Sequence, residues 1–433
     1  MTGVLVAVGP RWDSRLATTV EAARDLELAR RCADLADLLA AAASGLGTAA
    51  VVSGDLRGLD LTAVSTLRAS GVAVVGVSDP VDEGSERHLR QIGVDVVVPA
   101  DVAAADLAES VLAASAAPGG AGAPASGRHE AAGVVSSERV VTPSAFPPVP
   151  EAEPQEPARV VAVWGPCGAP GRTSVAVNLA AELALLGVPT LLVDADTYGG
   201  SVAQVLSLLD EAPGVAAAAR AAEQGTLDLP VLARLAPEVL PGLRVLTGLP
   251  RADRWPELRQ AALERVYDVA RLLARVVVVD CGFSLEDDEE LSYDTRAPRR
   301  HAATLTSLAT ADTVVAVGAC DPVGLQRLVR GLQELGTVPS GEVLVVVNRL
   351  RAGAVGPRPA EHVTAALQRF AGVVPATFVP DDPAAFDAAL LQGRVLAECA
   401  PSSPARAALR TLAATLGGVD VPSNVRRRKL ITR

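Results

Sequence analysis

Val160-Val161-Ala162-Val163-Trp164-Gly165-Pro166-Cys167-Gly168-Ala169-Pro170-Gly171-Arg172-Thr173-Ser174 is the stretch on which the reading of this chain turns. A β-branched run ends in a glycine-bearing loop, the loop closes with Gly-Arg-Thr-Ser, and an apolar helical pattern from Val175 to Leu186 follows. Strand, loop and helix N-terminus together make an anion cradle. Backbone N–H groups of the loop and first helical turn point at the ligand, and the helix dipole favours negative charge there. The phosphate-loop pattern G-x-x-x-x-G-K-[ST] is met in part. Gly171 and Thr173 fit, whereas Arg172 stands in place of the lysine and Pro166 in place of the first glycine. Taken alone, the stretch is equally compatible with an ordinary strand, turn and helix.

The sequence downstream tips the balance. Thr190-Leu191-Leu192-Val193-Asp194-Ala195-Asp196 reads as a buried strand with two acids on alternate positions at its carboxyl end. Arg275–Asp280 is a second apolar run ending in an acid. Thr313–Gly318 leads to Cys320-Asp321-Pro322, Glu342–Val347 to Asn348-Arg349, and Ala376–Val379 to Pro380-Asp381-Asp382. Ligands of doubly wound sheets gather at strand carboxyl ends, and here strand after strand delivers a polar residue to that edge.

Upstream, residues 1 to 115 alternate between strand and helix patterns. The strand-like runs are Val4–Val8, Leu26–Arg30, Ala49–Ser53, Val72–Val77 and Val94–Val98; helical patterns cover Leu35–Ala43, Leu61–Ala69, Ser85–Ile92 and Ala104–Ala114. Such alternation implies a doubly wound parallel sheet, and in size and order it resembles a response-regulator receiver domain. Receiver chemistry is mostly missing. Gly9, Pro10 and Arg11 stand where the acid pair belongs, Ser53 where the phosphoacceptor does, with Asp55 two places late, and Pro99 or Ala100 replaces the lysine. Without clustered acids there is little to hold Mg²⁺, so a partner-binding pseudo-receiver is expected. Residues 116–157 are rich in Ala, Gly, Pro and Ser and read as a flexible linker. The chain thus divides into a receiver-like domain (1–115), the linker (116–157), a second α/β domain (158–420) and a basic tail (421–433).

Composition excludes several classes. Aromatic residues are only 3% of the 433, so the cores must be built from Ala, Val and Leu. A net charge of -11 argues against general affinity for DNA, which rests on basic patches. The five cysteines are widely spaced, with no Cys-x-x-Cys pair, which fits a reducing cytosol and offers no structural zinc site. Met1–Val8 lacks a basic n-region, and no apolar run is long enough for a bilayer.

Residues from about 158 to 417 resemble the MinD/ParA class of P-loop ATPases. With a receiver-like domain in front, the whole chain resembles the CpaE/TadZ group, which positions pilus-assembly machinery and has relatives tied to septum placement. The resemblance implies two doubly wound parallel-sheet domains, ATP and Mg²⁺ as cofactors, and a nucleotide-dependent homodimer. It implies phosphate binding by Gly168, Ala169, Pro170, Gly171, Arg172 and Ser174, with Thr173, Asp194 and Asp280 at the metal. Asp196 would act on the attacking water. Asn348 would read the adenine, with Pro380 and Asp382 lining its pocket. The class carries a second, signature lysine early in the loop. Here that position is Cys167, and Arg172 is a wide planar fork instead of a compact ammonium. Losing one transition-state donor costs about 3 kcal/mol, so binding with slow or absent hydrolysis is expected.

Arg299 or Arg300, following the acids Glu286 to Glu290, could fold over the phosphates and replace the charge missing at Cys167. A solvated charged loop is the plainer reading. The tail, with Arg426, Arg427, Arg428 and Lys429, is short for a membrane helix and implies weak peripheral contact at most. The expected setting is cytoplasmic, with the receiver-like domain recognising a protein of the pilus, secretion or septum machinery. The alternative is a dimeric scaffold whose phosphate loop is a relic.

Overall fold

The computed structural model describes residues 1–116, 158–168, 170–208, 213–287 and 298–419. The expected linker, Ala169 of the loop, most of the acidic stretch after Asp287 and the basic tail lie outside the described residues.

The amino-terminal domain alternates strand and helix throughout. Its elements are β1 (Thr2–Ala7), α1 (Asp13–Ala22), β2 (Leu26–Arg31), α2 (Leu35–Ala43), β3 (Ala49–Ser53) and α3 (Leu61–Ala69). They continue with β4 (Ala73–Ser78), α4 (Glu83–Gln91), β5 (Val96–Pro99) and α5 (Ala104–Ala116). The parallel sheet runs β2-β1-β3-β4-β5. Asp34, Asp60 and Asp82 cap α2, α3 and α4 by accepting from Asp37, Ala63 and Gly84 backbone N–H groups, which satisfies donors that a helix start leaves unpaired. Helix α1 escaped the sequence pattern because only Leu16, Ala17 and Val20 face the core.

The second domain opens with β6 (Arg159–Trp164), α6 (Arg172–Leu185), β7 (Thr190–Ala195) and the short α7 (Val202–Val205). Next come α8 (Gly214–Glu223), α9 (Leu229–Leu235), β8 (Glu238–Leu240), β9 (Leu243–Leu246), a 3₁₀ turn (Ala252–Glu257) and α10 (Gln260–Leu273). The core resumes with β10 (Val276–Cys281), α11 (Ala302–Thr310), β11 (Thr313–Ala319), α12 (Pro322–Leu335) and β12 (Glu342–Leu350). It closes with α13 (Ala352–Val355), α14 (Pro359–Ala371), β13 (Thr377–Pro380), α15 (Pro383–Gln392), α16 (Leu396–Cys399) and α17 (Pro404–Gly417). The eight strands lie in the order β13-β12-β11-β6-β10-β7-β9-β8, and all neighbours are parallel except β8, which pairs antiparallel with β9. The phosphate-loop strand β6 is therefore central, flanked by β10 and β11.

Helix α6 is buried along Val175–Ala184 between the sheet and α17, so its sequence shows little amphipathic period. Burial traps Glu182, which accepts from Arg406 Nε of α17 at 2.6 Å. Breaking a buried pair from one side leaves an uncompensated charge and costs about 3–5 kcal/mol. Arg406→Ala is therefore expected to lower the thermal unfolding midpoint clearly, whereas the double change Glu182→Leu with Arg406→Leu recovers most of the loss. Equal midpoints for the single and double variants would discount the pair.

The two domains touch through α3. Leu61 joins the apolar core formed by α8 and α10, and Thr62 Oγ1 donates to Glu223 Oε1 at 2.6 Å. Burial at this contact raises the Glu223 carboxyl above its ordinary range.

Candidate nucleotide site

The parallel register builds the site. Asp280 of β10 pairs with Asp194 of β7 on one side and with Val163 of β6 on the other. Adjacent strands lie about 4.8 Å apart, so two carboxylates are set next to each other beside the phosphate loop. Asp196, two residues beyond Asp194, returns to the same face. All three acids are buried.

Their partners differ. Asp194, expected at the metal, has both oxygens engaged by backbone: Oδ1 accepts from Asp196 N–H at 3.2 Å and Oδ2 from Val202 N–H at 3.0 Å. It ties the turn after β7 together. Asp196 Oδ1 accepts from the N–H groups of Tyr198 and Gly199, at 2.9 and 3.2 Å. Its Oδ2 faces Arg172 Nη2 at 3.3 Å. Asp280 is different again: neither oxygen completes a hydrogen bond, though the Thr173 hydroxyl lies close enough to favour its charged form. Burial, then the neighbouring Asp194 charge, hold the Asp280 carboxyl well above its ordinary range. Burial also pushes Asp194 up to about 7 against its backbone donors.

Arg172 is the cation at the centre of this group. Its Nη1 donates to the carbonyls of Gly165 and Pro166 at 3.1 and 3.3 Å, while Nη2 holds Asp196. A fork can make those contacts together; an ammonium lacks the span.

The loop itself is shaped for close approach. Gly168 and Gly171 have φ of +100° and +95°, a region costly for residues with a Cβ. A side chain at Gly171 would strike Asn348 Nδ2, and one at Gly168 would strike Arg327 Nη1. Asn348 is buried and donates from Nδ2 to Pro170 O at 2.7 Å, so it props the loop from β12. Ser174 O accepts from Asn178 Nδ2 at 2.8 Å. Pro380 ends β13. Asp382, expected in a base pocket, caps α15 through Ala385 N–H and accepts from Ser403 Oγ at 2.7 Å. The Asp-Pro signature at 382–383 is a helix start.

Arg299 and Arg300 do not reach the phosphate loop. Arg299 Nη1 sits 3.3 Å from Asp287 and lines an interdomain cavity with Thr62. Arg300 donates to Thr197 Oγ1 at 2.8 Å and lies over the Tyr198 ring at 3.8 Å. In this ligand-free arrangement local ion pairing holds Arg299 and cation–π stacking holds Arg300. Tyr198 and its neighbours, which the sequence pattern did not single out, join the two edges of the site. The Tyr198 hydroxyl meets His301 Nε2 at 2.8 Å, and His301 Nδ1 meets Glu286 O at 2.7 Å. A carbonyl only accepts, so Nδ1 carries hydrogen, and on a neutral ring the tyrosine hydroxyl donates to Nε2. Trp164 Nε1 donates to Phe283 O at 3.1 Å. Of the three cysteines at this edge, Cys281 and Cys320 are buried and Cys167 is exposed.

These residues fit a nucleotide with Mg²⁺. Mg²⁺ is usually held by one or two carboxylates, phosphates and water, and the orphaned Asp280 oxygens beside Thr173 offer such a foothold at the base of a glycine cradle. Among the described residues no cluster of three or more acid, His or Cys side chains is arranged to hold an ion without that help.

Sheet order, central phosphate-loop strand and polar carboxyl edge define an α/β P-loop fold. Solved structures similar in fold include ParA/MinD-family ATPases. One is the ParA family ATPase from Chlorobium tepidum TLS, with a TM-score of 0.51 at 18% identity, covering 60% of this chain and 99% of that one. Another is the septum site-determining protein MinD with Mg-ADP from Pyrococcus horikoshii OT3, with a TM-score of 0.47 at 18% identity, covering 60% and 96%. No family model and no curated protein matches the sequence. At these identities the likeness concerns the fold alone.

Proposed function

We propose that this protein is an ATP- and Mg²⁺-binding spatial regulator of the MinD/ParA kind, resembling the CpaE/TadZ group. Nucleotide stabilises its homodimer, and the dimer positions pilus, secretion or division-site machinery. The observation carrying this reading is Asp280: a buried carboxylate with two unpartnered oxygens, beside Thr173 and under a glycine cradle. Nature seldom leaves a buried charge unpaired without use for it. Thr173 and Asp280 would hold the magnesium, which supplies charge neutralisation at the phosphates. Asp194 stands behind them, fixing the turn that carries Asp196. Backbone N–H groups around Gly168 and Gly171, with Arg172 and Ser174, would take the phosphates, and Pro170 sets the turn between the glycines. Asn348 keeps one amide hydrogen for the adenine edge, with Pro380 nearby, while Asp382 supports that wall as a cap. Asp196 would orient the attacking water once Arg172 turns from it to phosphate.

The receiver-like domain serves as the docking module. In its pocket, lined by Asp55, Asp79 and Asp82, Arg11 pairs with Asp79 at 2.6 Å and Asp55 accepts from Ser53 Oγ, so two of the three acids are already tied to neighbouring side chains. Among the described residues no helix is long and apolar enough to cross a membrane; the setting we propose is cytoplasmic, with peripheral membrane contact through the basic tail. One observation favours the scaffold alternative: Arg172 holds Asp196, which in this arrangement keeps the acid from water. Calorimetry with ATP and ADP, with Mg²⁺ and with EDTA, combined with sedimentation and a turnover assay, tests the switch. Magnesium-dependent uptake accompanied by dimer formation is expected, with slow turnover. No magnesium-dependent uptake of either nucleotide would leave only the scaffold.

A further inference from the structure

The class signature lysine is absent at residue 167, and Arg172, Arg299 and Arg300 are each committed to other partners. Two cations of α12 beside the loop, Arg327 and Arg330, are uncommitted among the described residues, and Arg327 is the one that reaches Gly168. Arg327 Nη1 occupies the space that a side chain on Gly168 would fill. Arg327 is exposed and makes no hydrogen bond or ion pair among the described residues.

The fold explains why it is there. Strands β6 and β11 are neighbours, so the phosphate loop and the start of α12 leave the same sheet edge side by side. Asp321 caps α12 through Val323 and Gly324 N–H groups. Gly331 then seats the helix: a side chain there would press on Trp164 and Pro166. Residue 327 lies one turn before Gly331 on the same helix face, which brings its guanidinium over Gly168. Beside it opens a cavity of about 440 Å³ whose walls include Cys167, Ser284 and Glu286. Arg330 and Glu334 of α12 also line it, so Arg330 and Arg327 face Glu286 and Glu334 and no single sign dominates.

We infer that Arg327 is the second cation of the phosphate loop and binds the terminal phosphate oxygens of a nucleoside triphosphate. Its charge arrives from a helix instead of from loop position 167. The inference rests on the nucleotide-switch reading and adds to it the residue that distinguishes triphosphate from diphosphate. An exposed guanidinium without a partner loses little on turning to phosphate, and charge-assisted contacts are the stronger hydrogen bonds.

The test uses the full chain with Mg²⁺, displacing a fluorescent adenine nucleotide with ATP or with ADP. Arg327→Ala is expected to weaken ATP about tenfold, the scale of one charge-assisted contact, while ADP stays within about twofold. Arg327→Lys retains most of the ATP affinity, because the charge is kept. Arg327→Glu loses more than Arg327→Ala. The ligand-free unfolding midpoint stays unchanged in all three, which separates the effect from misfolding. Arg327→Ala binding ATP as the parent does, or losing ATP and ADP equally, overturns the inference and leaves the switch standing. An unmutated chain that binds neither nucleotide sinks both, and that result is visible before any variant is made.

Discussion

Asp280→Asn is expected to raise the unfolding temperature of the ligand-free protein at pH 8 and to abolish its further stabilisation by Mg²⁺ and ATP. Both effects come from one carboxylate. In the absence of ligand, three buried acids share one guanidinium, and the nearby Thr173 hydroxyl and Arg172 charge offset only part of the desolvation of Asp280, whose oxygens complete no hydrogen bond. A neutral amide of nearly the same shape removes the charge and relieves Asp194 across the strand pair. The same amide is a poor magnesium ligand, so uptake of the metal with nucleotide is lost. The sign of the pH dependence follows. Burial raises Asp194 to about 7 and Asp280 well above its ordinary range. A carboxyl raised in the folded state destabilises it increasingly as pH climbs from the unfolded value of about 4, and the penalty is complete above the folded value. A carboxyl whose folded pKa stands one pH unit above its unfolded pKa costs the fold about 1.4 kcal/mol once ionised. In EDTA the parent protein should therefore gain stability as pH falls from 8 to 5, and Asp280→Asn should flatten that slope. Calorimetric scans across the range check it. A variant that melts lower than the parent at pH 8, with the slope unchanged, would falsify this account of Asp280.

Arg172→Ala should do the reverse in the ligand-free protein and still more damage to binding. The side chain is nearly buried, grips two loop carbonyls and faces Asp196 at 3.3 Å. Removing it leaves three acids with no cation among them, a loss on the scale of about 3 kcal/mol or more for a buried pair broken from one side. It also deletes the loop's own phosphate donor, so nucleotide affinity should fall about a hundredfold, the equivalent of roughly 3 kcal/mol. Arg172→Lys separates the two roles. It keeps a point charge for phosphate but cannot span both carbonyls and Asp196, so affinity largely survives and Asp196 is freed. Its turnover should exceed that of the parent. Titration and a phosphate-release assay read both quantities. Faster turnover in Arg172→Ala than in Arg172→Lys would be incompatible with a phosphate role for this residue.

Much of the fold was legible because it is written locally. The runs ending in Asp194, Asp280 and Asn348 are β-branched and continuous, which is the signature of strands buried on both faces, and they became β7, β10 and β12. The stretch from Val202 to Leu273 was silent. Helix α8 is Gly-Val-Ala-Ala-Ala-Ala-Arg-Ala-Ala-Glu, in which buried positions and the half-buried ones at 217 and 221 are alike alanine, so the residue types barely separate the faces. Strands β8 and β9 are three and four residues long, too short for alternation to register. That Asp382 caps α15 was legible in the Asp-Pro pair, because proline is favoured in the first helical turn.

From the residues alone came two doubly wound parallel-sheet domains and a polar edge on the second, since apolar periodicity and β-branching report burial through each residue's near neighbours. Tertiary structure alone decided which charge meets which. Asp194 spends both oxygens on backbone, Asp280 spends neither, Arg172 turns to Asp196, and Arg327 arrives over Gly168 from a helix far along the chain. Those pairings depend on strand register and on where a glycine lets α12 settle, and neither quantity is encoded in any local window of the chain.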